Sequence, residues 1–167
     1  GLYGLVMARN RIIKPDFWAD EKIGKISPEA RLLFIGMLNF CDDIGVCRGT
    51  AGFLRSQIFQ FDDISLKSVE SLINELIKNN LVISKKINDE SFILVKNFLK
   101  HQKIDRPSPF RFITDTTKHN VFELFNSSSG DVGTRCTLDE QYNENVNENV
   151  NENGSDDSRI VNNQKEF

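Results

Sequence analysis

The sequence predicts a mainly α-helical domain with a small β-hairpin, an α+β fold, followed by a disordered C-terminal tail. Two stretches, residues 28–41 and 66–77, show the apolar spacing of amphipathic helices. The β-branched stretch of residues 81–95 then changes to the pattern of strands. Residues 143–154 repeat Asn, Glu and Val, and such a segment has too few apolar side chains to offset the entropy of ordering.

The first predicted helix begins after Ser27. Serine is a good N-cap, Pro28 suits the first helical position, and the helix dipole favours Glu29 in the first turn. The Asp-Asp-Ile-Gly sequence that ends at Gly45 predicts a turn, and residues 46–48 are expected to form a short strand. The apolar stripe of this helix consists of Ala30, Leu33, Phe34, Met37, Leu38 and Cys41.

Two further helices are predicted. One is short and runs from Thr50 to about Gln60, with Phe53, Leu54, Ile58 and Phe59 as its apolar positions. The other begins after the cap Ser65, ends at the Asn-Asn pair of residues 79–80, and has the clearest amphipathic pattern in the chain. Its apolar positions are Leu66, Val69, Leu72, Ile73, Leu76 and Ile77.

A β-hairpin is expected after the third helix. Residues 81–87 and 92–95 are its strands, and Asn-Asp-Glu at residues 88–90 is its turn. The order helix, short strand, helix, helix, hairpin is that of a winged helix-turn-helix. Pro107 and Pro109 exclude a continuing helix beyond the hairpin, and a short helix is expected near residues 119–125.

Charge divides the chain into unequal parts. Up to residue 112 there are 17 Lys and Arg against 13 Asp and Glu, and beyond it 4 against 11. A basic body suggests an anionic partner, usually nucleic acid, although a solvated surface with a solubilising tail explains the charge equally well. We expect a flexible N-terminus (1–11), a winged-helix domain (12–105), a basic, proline-containing extension (106–126) and a disordered acidic tail (127–167).

The sequence offers little for membrane, metal or catalytic function. No stretch approaches the ~18 apolar residues of a membrane helix, and no export signal is recognised, so a cytoplasmic protein is expected. The three cysteines lack metal-ligand spacing and are expected to be free, buried thiols. The acid pairs at residues 42–43 and 62–63 suit turns. We therefore expect no enzyme, no cofactor and no metal.

Four blocks of sequence carry a family resemblance. Residues 13–18 read Ile-Lys-Pro-Asp-Phe-Trp, 27–36 read Ser-Pro-Glu-Ala-Arg-Leu-Leu-Phe-Ile-Gly, and 54–59 read Leu-Arg-Ser-Gln-Ile-Phe. Residues 95–109 read Val-Lys-Asn-Phe-Leu-Lys-His-Gln-Lys-Ile-Asp-Arg-Pro-Ser-Pro. Together they resemble bacteriophage and prophage replication-initiation proteins, replisome organisers with an N-terminal winged-helix domain, over residues 9–112.

The resemblance implies a DNA-binding protein that acts in replication initiation or helicase recruitment. Its partners would be duplex or single-stranded DNA and a replicative helicase or another replisome protein. Members of this family often carry a further C-terminal domain where this chain has its Asn/Glu repeat. Two alternatives stay open: a protein-interaction winged helix, holding a partner protein or a second copy with little DNA affinity, and a transcriptional regulator.

Two groups of residues are candidates for DNA contact. The third helix would present Lys67, Ser68, Ser71 and Asn74, but Glu70, Glu75 and Lys78 share its outward face, which is therefore expected to be neutral. Basic residues elsewhere could contact phosphate without reading sequence, and ordinary surface lysines are the alternative interpretation. These are Lys85 and Lys86 near the hairpin tip, then Lys96, Lys100, Lys103, Arg106 and Arg111, and before the fold Arg9, Arg11 and Lys14.

The aromatic residues are expected to pack in the core rather than to stack on bases. The chain has 13 Phe, and most of them fall on apolar helix faces or in strands. The residues assigned to the core are Phe17, Trp18, Phe34, Phe40, Phe53, Phe59, Phe92 and Phe98.

Overall fold

The computed structural model describes residues 8–108, 111–113, 118–120 and 125. They form helices and a small antiparallel sheet, which confirms the α+β class. The helices are α1 (Asp16–Ala19), α2 (Glu21–Lys25), α3 (Pro28–Phe40), α4 (Ala51–Ile58), α5 (Leu66–Lys78) and α6 (Phe98–His101). The strands are β1 (Val46–Arg48), β2 (Val82–Ile87), β3 (Glu90–Val95), β4 (Arg111–Ile113) and β5 (Lys118–Asn120).

The three longer helices begin at the polar residues that the sequence indicated. The side-chain oxygens of Ser27, Thr50 and Ser65 each accept a backbone N–H three residues on, at 3.0 to 3.2 Å, which satisfies an otherwise unpaired helix donor. Helix α5 ends at Lys78 with Asn79 as its C-cap, and Asn80 follows with a φ of 59°, the left-handed conformation that ends many helices. Helices α1, α2 and α6 were not predicted because four or five residues are too few to show a periodicity.

The sheet has the strand order β1-β3-β2, with both pairs antiparallel. The predicted hairpin and short strand are confirmed, although β3 begins at Glu90 rather than at Phe92. Asn88 and Asp89 both have positive φ, 48° and 65°, which matches the two-residue turn that suits the twist of a hairpin. Four consecutive residues of the central strand β3, Phe92 to Val95, are buried, so both of its faces are covered.

Two apolar clusters cover the two faces of the sheet. On one face, Val82, Ile93 and Val95 join the main core formed with the helices. On the other face, a second cluster consists of Ile44, Val46, Phe92, Leu94 and Phe125. Phe125 is 3% exposed, so a residue far beyond the expected domain end is part of the fold.

The ordered domain extends past both expected boundaries. The backbone N–H of Arg9 donates to the carbonyl of Asn39 at 2.8 Å, so the described part of the N-terminus is attached to α3. The side-chain amide of Gln102 accepts from the N–H of Ile12 at 3.1 Å and donates to its carbonyl at 2.7 Å. At the other end, the N–H of Ser108 donates to the Asp43 carboxylate at 3.0 Å. Residues 8–11 and 106–108 therefore belong with the expected 12–105 domain.

Two local expectations are wrong. The helix expected near residues 119–125 does not form at its start, since Lys118–Asn120 is a strand that pairs with Arg111–Ile113; residues 121–124 lie outside the described part. Trp18 was expected in the core but is 65% exposed, with its ring edge-on to Phe17 at a centroid distance of 5.0 Å.

The tail from residue 127 onward also lies outside the described residues. None of the described helices has the length and apolar content that a membrane crossing requires.

Candidate nucleic-acid interface

Helix α5 exposes one polar stripe. Its apolar face, with Val69, Ile73 and Leu76 at most 7% exposed, packs on α3, α4 and β2. The side chains on the opposite face recur at a spacing of three or four residues, so they lie in one row along the helix. This stripe, which we call the α5 stripe, consists of the exposed residues Lys67, Ser71, Asn74 and Lys78.

The α5 stripe carries two lysines, and the wider face that the sequence predicted to be neutral is more positive than expected. Glu75 accounts for the difference, because it is half-buried and turned toward α3. Its carboxylate accepts the backbone N–H of Ser27 and, at 2.9 Å, the hydroxyl of Ser27. On the exposed side of α5, only Glu70 then offsets the positive charge of Lys67 and Lys78. The exposed Asp62 and Asp63, just before the helix, still place negative charge near its N-terminus.

Ser68 is exposed at the N-terminus of α5, but its hydroxyl is already engaged. It lies 2.8 Å from the hydroxyl of the cap Ser65, whose oxygen also accepts the N–H of Ser68 at 3.0 Å. A base contact by Ser68 would have to replace this local hydrogen bond, whereas Ser71 and Asn74 are exposed in the stripe.

The two lysines at the hairpin tip differ in their surroundings. Lys86 points into solvent and forms an ion pair with Asp89 at 3.2 Å, with side chains 65% and 97% exposed, so the pair is weak and easily exchanged. The Nζ of Lys85 donates to the carbonyl of Phe125 at 2.9 Å and lies 5.9 Å from the centre of its ring. Burial lowers the pKa of Lys85. Lys85 therefore helps to hold Phe125 over the sheet.

The remaining predicted cations lie away from the tip. Lys96 directly follows β3. Its backbone lies about 17 Å along the strand from Ser91, the residue that is paired with Lys86. Its Nζ donates to the side chain of Asn80. Lys100 is exposed on α6, and its carbonyl accepts the Nζ of Lys14 at 3.3 Å. Lys103 and Arg106 are exposed beyond α6, and the backbone of Arg111 is in β4.

The predicted basic surface is therefore divided. Lys86 stands at the hairpin tip, and a second group gathers at the hairpin base. The base group consists of Lys14, Lys22, Lys96 and Lys100. Burial lowers the pKa of Lys96, and the nearby charge of Lys22 lowers it further. Sequence reasoning missed Lys22 because only the fold brings α2 beside the end of β3.

Arg9 and Arg11 were expected among the phosphate contacts, but their side chains bind other groups of the fold. The Arg11 side chain is 6% exposed and donates to the carbonyls of Leu38, Cys41 and Asp42 at 3.0 to 3.3 Å, and to the Asp43 carboxylate at 3.2 Å. Arg9 also forms an ion pair with Asp43. Burial tends to raise the pKa of Asp43, but hydrogen bonds from Arg9, Ser108 and Arg11 outweigh it and lower that pKa.

The described cysteines and Asp42 make structural contacts. Cys41 and Cys47 are free and buried, and burial, together with the neighbouring Cys47, raises the pKa of Cys41, which makes it a poor nucleophile. The carboxylate of Asp42 accepts the N–H groups of Ile44 and Val46 at 3.0 and 2.8 Å, as expected for a turn. Within the described ranges, no group of three His, Cys, Asp or Glu could hold a metal ion.

Two large apolar side chains near the start of α5 are exposed: Phe61 had no role in the sequence interpretation, and Leu66 was expected on the apolar face of the helix. Phe61, in the turn between α4 and α5, is 99% exposed, and Leu66, at the start of α5, is 47% exposed. The signal in the sequence was an aromatic residue between Gln60 and Asp62, where a turn needs only polar side chains.

No protein-family model, curated protein or solved structure matches the chain.

Proposed function

We propose that this chain is a DNA-binding winged-helix protein, with α5 in the major groove and the hairpin as the wing. The element order α3, β1, α4, α5, β2, β3 and the sheet order β1-β3-β2 support this, because they agree with the arrangement of a winged helix-turn-helix. In this proposal α4 and α5 are the helix-turn-helix, and Lys86 at the wing tip contacts phosphate.

The α5 stripe is the observation that carries the proposal. Its 13-residue helix is about 20 Å long, and a major groove about 12 Å wide admits a helix. Lys67 and Lys78 can reach phosphates or guanine, and Asn74 can form the two hydrogen bonds by which asparagine recognises adenine. The inward position of Glu75 removes a carboxylate that would otherwise repel the backbone.

The process we propose is replication initiation or helicase recruitment in a phage or prophage. This part of the proposal rests on the sequence resemblance of residues 9–112. It assigns no reaction to the chain, only binding to duplex or single-stranded DNA and to a replicative helicase or another replisome protein.

A salt titration of DNA binding tests the proposal. Fluorescence anisotropy with a labelled random duplex, between about 50 and 200 mM salt, should give an affinity that falls steeply as counterions are released. Replacing both stripe lysines, Lys67→Gln with Lys78→Gln, should reduce the slope of log affinity against log salt by about two.

The matched control removes two exposed lysines outside the stripe, Lys25→Gln with Lys100→Gln, and should leave the slope unchanged. An equal or larger change in the control would contradict the assignment to α5. Absence of binding at low salt would contradict DNA binding itself. A preference of about 10³ or more for one sequence over random DNA would favour the transcriptional regulator.

The second candidate is a protein-interaction module, and the exposed Phe61 and Leu66 favour it. An aromatic side chain in full contact with water is the kind of residue that anchors protein interfaces. Under this alternative, Phe61→Ser would abolish binding to the helicase or to a second copy, while the double change in the α5 stripe would have no effect.

A further inference from the structure

A cavity of about 130 Å³ lies at the hairpin base, apart from the α5 stripe. The N-terminal segment, α1, α2, α3, the end of β3 and α6 form it, and one side opens to solvent. An engineered apolar cavity of about 150 Å³ holds a benzene molecule, so this one has room for a single ring or a branched aliphatic group. Its apolar walls are Phe17, Ile23, Phe34, Leu38, Val95 and Phe98.

The rim of the cavity is cationic. Lys14, Lys22 and Lys96 line it, and among residues 8–108 none of the three forms an ion pair with a carboxylate. Their hydrogen-bond partners are neutral: the Lys100 carbonyl for Lys14 and the Asn80 side chain for Lys96.

Aspartates at the rim offset only part of this charge. Asp16 and Asp20 also line the cavity, but the carboxylate of Asp20 caps α2 by accepting the N–H groups of Lys22 and Ile23 at 2.7 and 3.4 Å. A ligand that brings its own negative charge would therefore complement the lysines.

The wall formed by the N-terminal segment is held in place without a ligand. Gln102 is 3% exposed, and its side-chain amide forms two hydrogen bonds with the backbone of Ile12. The preceding residue, Arg11, is held by its own buried side chain. A ligand would thus enter a preformed site and would not have to order a loop, which lowers the cost of binding.

We propose that this cavity binds a small carboxylate whose apolar part is about the size of a benzene ring. The apolar part would pack between Phe17 and Phe98, and the carboxylate would lie at Lys22 and Lys96. A free organic acid and the C-terminal residue of a peptide present the same chemistry. A nucleotide is too large for the cavity.

The test compares phenylacetate with its neutral analogue phenylacetamide, added to the full ¹⁵N-labelled chain and followed by amide chemical shifts. Phenylacetate should shift the amides of residues around the cavity and bind about tenfold tighter than phenylacetamide, because only the acid forms ion pairs with the two lysines. Lys22→Gln with Lys96→Gln should remove this preference and leave the affinity for phenylacetamide unchanged. Lys25→Gln with Lys78→Gln, a control outside the cavity, should keep it.

His101 gives a second readout at the rim. Burial and the charges of Lys14 and Lys100 lower the pKa of His101, against the opposing effect of Asp20 and Asp16. A bound carboxylate adds negative charge, so saturation with phenylacetate should raise the pKa of this histidine in a proton NMR titration, and phenylacetamide should not.

Equal affinities of the two compounds for the unmodified chain would overturn the proposal, as would amide shifts confined to other parts of the surface. Two short peptides ending in Phe, one with a free and one with an amidated C-terminus, separate the sources. Tighter binding of the free peptide than of phenylacetate identifies a peptide C-terminus as the ligand; the reverse order identifies a free acid.

Discussion

Arg11 and Asp43 illustrate what a single residue contributes to this fold. The guanidinium of Arg11 satisfies carbonyl oxygens at the end of α3, lies over the ring of Phe98 at 5.1 Å, and neutralises Asp43. From the sequence, Arg9 and Arg11 were two cations in a basic segment. Their partners lie about thirty residues away, and no local pattern could have indicated them.

Replacing Arg11 should destabilise the fold far more than replacing Arg9. Arg11→Ala leaves several carbonyls without their donor and removes one of the donors to the nearly buried Asp43 carboxylate, which should cost about 3 kcal/mol of unfolding free energy. The Arg9 side chain is 40% exposed, so Arg9→Ala should cost less than about 1 kcal/mol. Urea unfolding followed by circular dichroism measures both, and similar losses would contradict the buried role of Arg11.

Stability should also fall in acid because of Asp43. The pKa of this carboxyl is lowered in the folded state, so its contribution is complete above the unfolded pKa of about 3.9 and is lost as pH falls through the folded pKa. Asp43→Asn should be less stable than the unmodified chain at neutral pH, and the difference should shrink below about pH 4. A difference that stays constant between neutral pH and about pH 3 would show that Asp43 does not act through its charge.

Among the elements, those with strong local signals were predicted and those held by distant contacts were not. Helices α3, α4 and α5 have capping residues and periodic apolar faces, and the hairpin has a turn that needs positive φ at Asn88 and Asp89. The cover of the sheet's second face was missed. Phe125 was placed at the end of a short predicted helix with no partner in the fold, and only the packing against Phe92 and Leu94 gives it a role.

Substitution of Phe125 tests whether it covers the second face of the sheet. Phe125→Ala should expose the second cluster and cost about 3 kcal/mol of unfolding free energy, the usual loss for a buried phenylalanine. The matched control is Phe61→Ala, which removes the same atoms from a position that is 99% exposed and should change stability by less than about 0.5 kcal/mol. Equal effects in urea unfolding would show that Phe125 does not cover the sheet.

For the whole molecule, the sequence predicted the presence of basic charge better than its distribution. Counting residues could not show that Glu75 turns inward, which makes the outward face of α5 more positive than expected, or that Lys85 turns toward Phe125. Nor could it show that Lys22 and Lys96 meet at a cavity on the hairpin base. The described part of the chain thus has two separate cationic regions, and we assign DNA to the α5 stripe and a small carboxylate to the base group.

Chemical-shift mapping with DNA tests the assignment of the α5 stripe most directly. A short random duplex is titrated into the ¹⁵N-labelled full chain at low salt, and the amide shifts are placed on the structure. We predict the largest shifts at Lys67, Ser71, Asn74 and Lys86, reversed by added salt. Shifts confined to the base group, or no shifts at all, would contradict the proposal that α5 and the hairpin tip bind DNA.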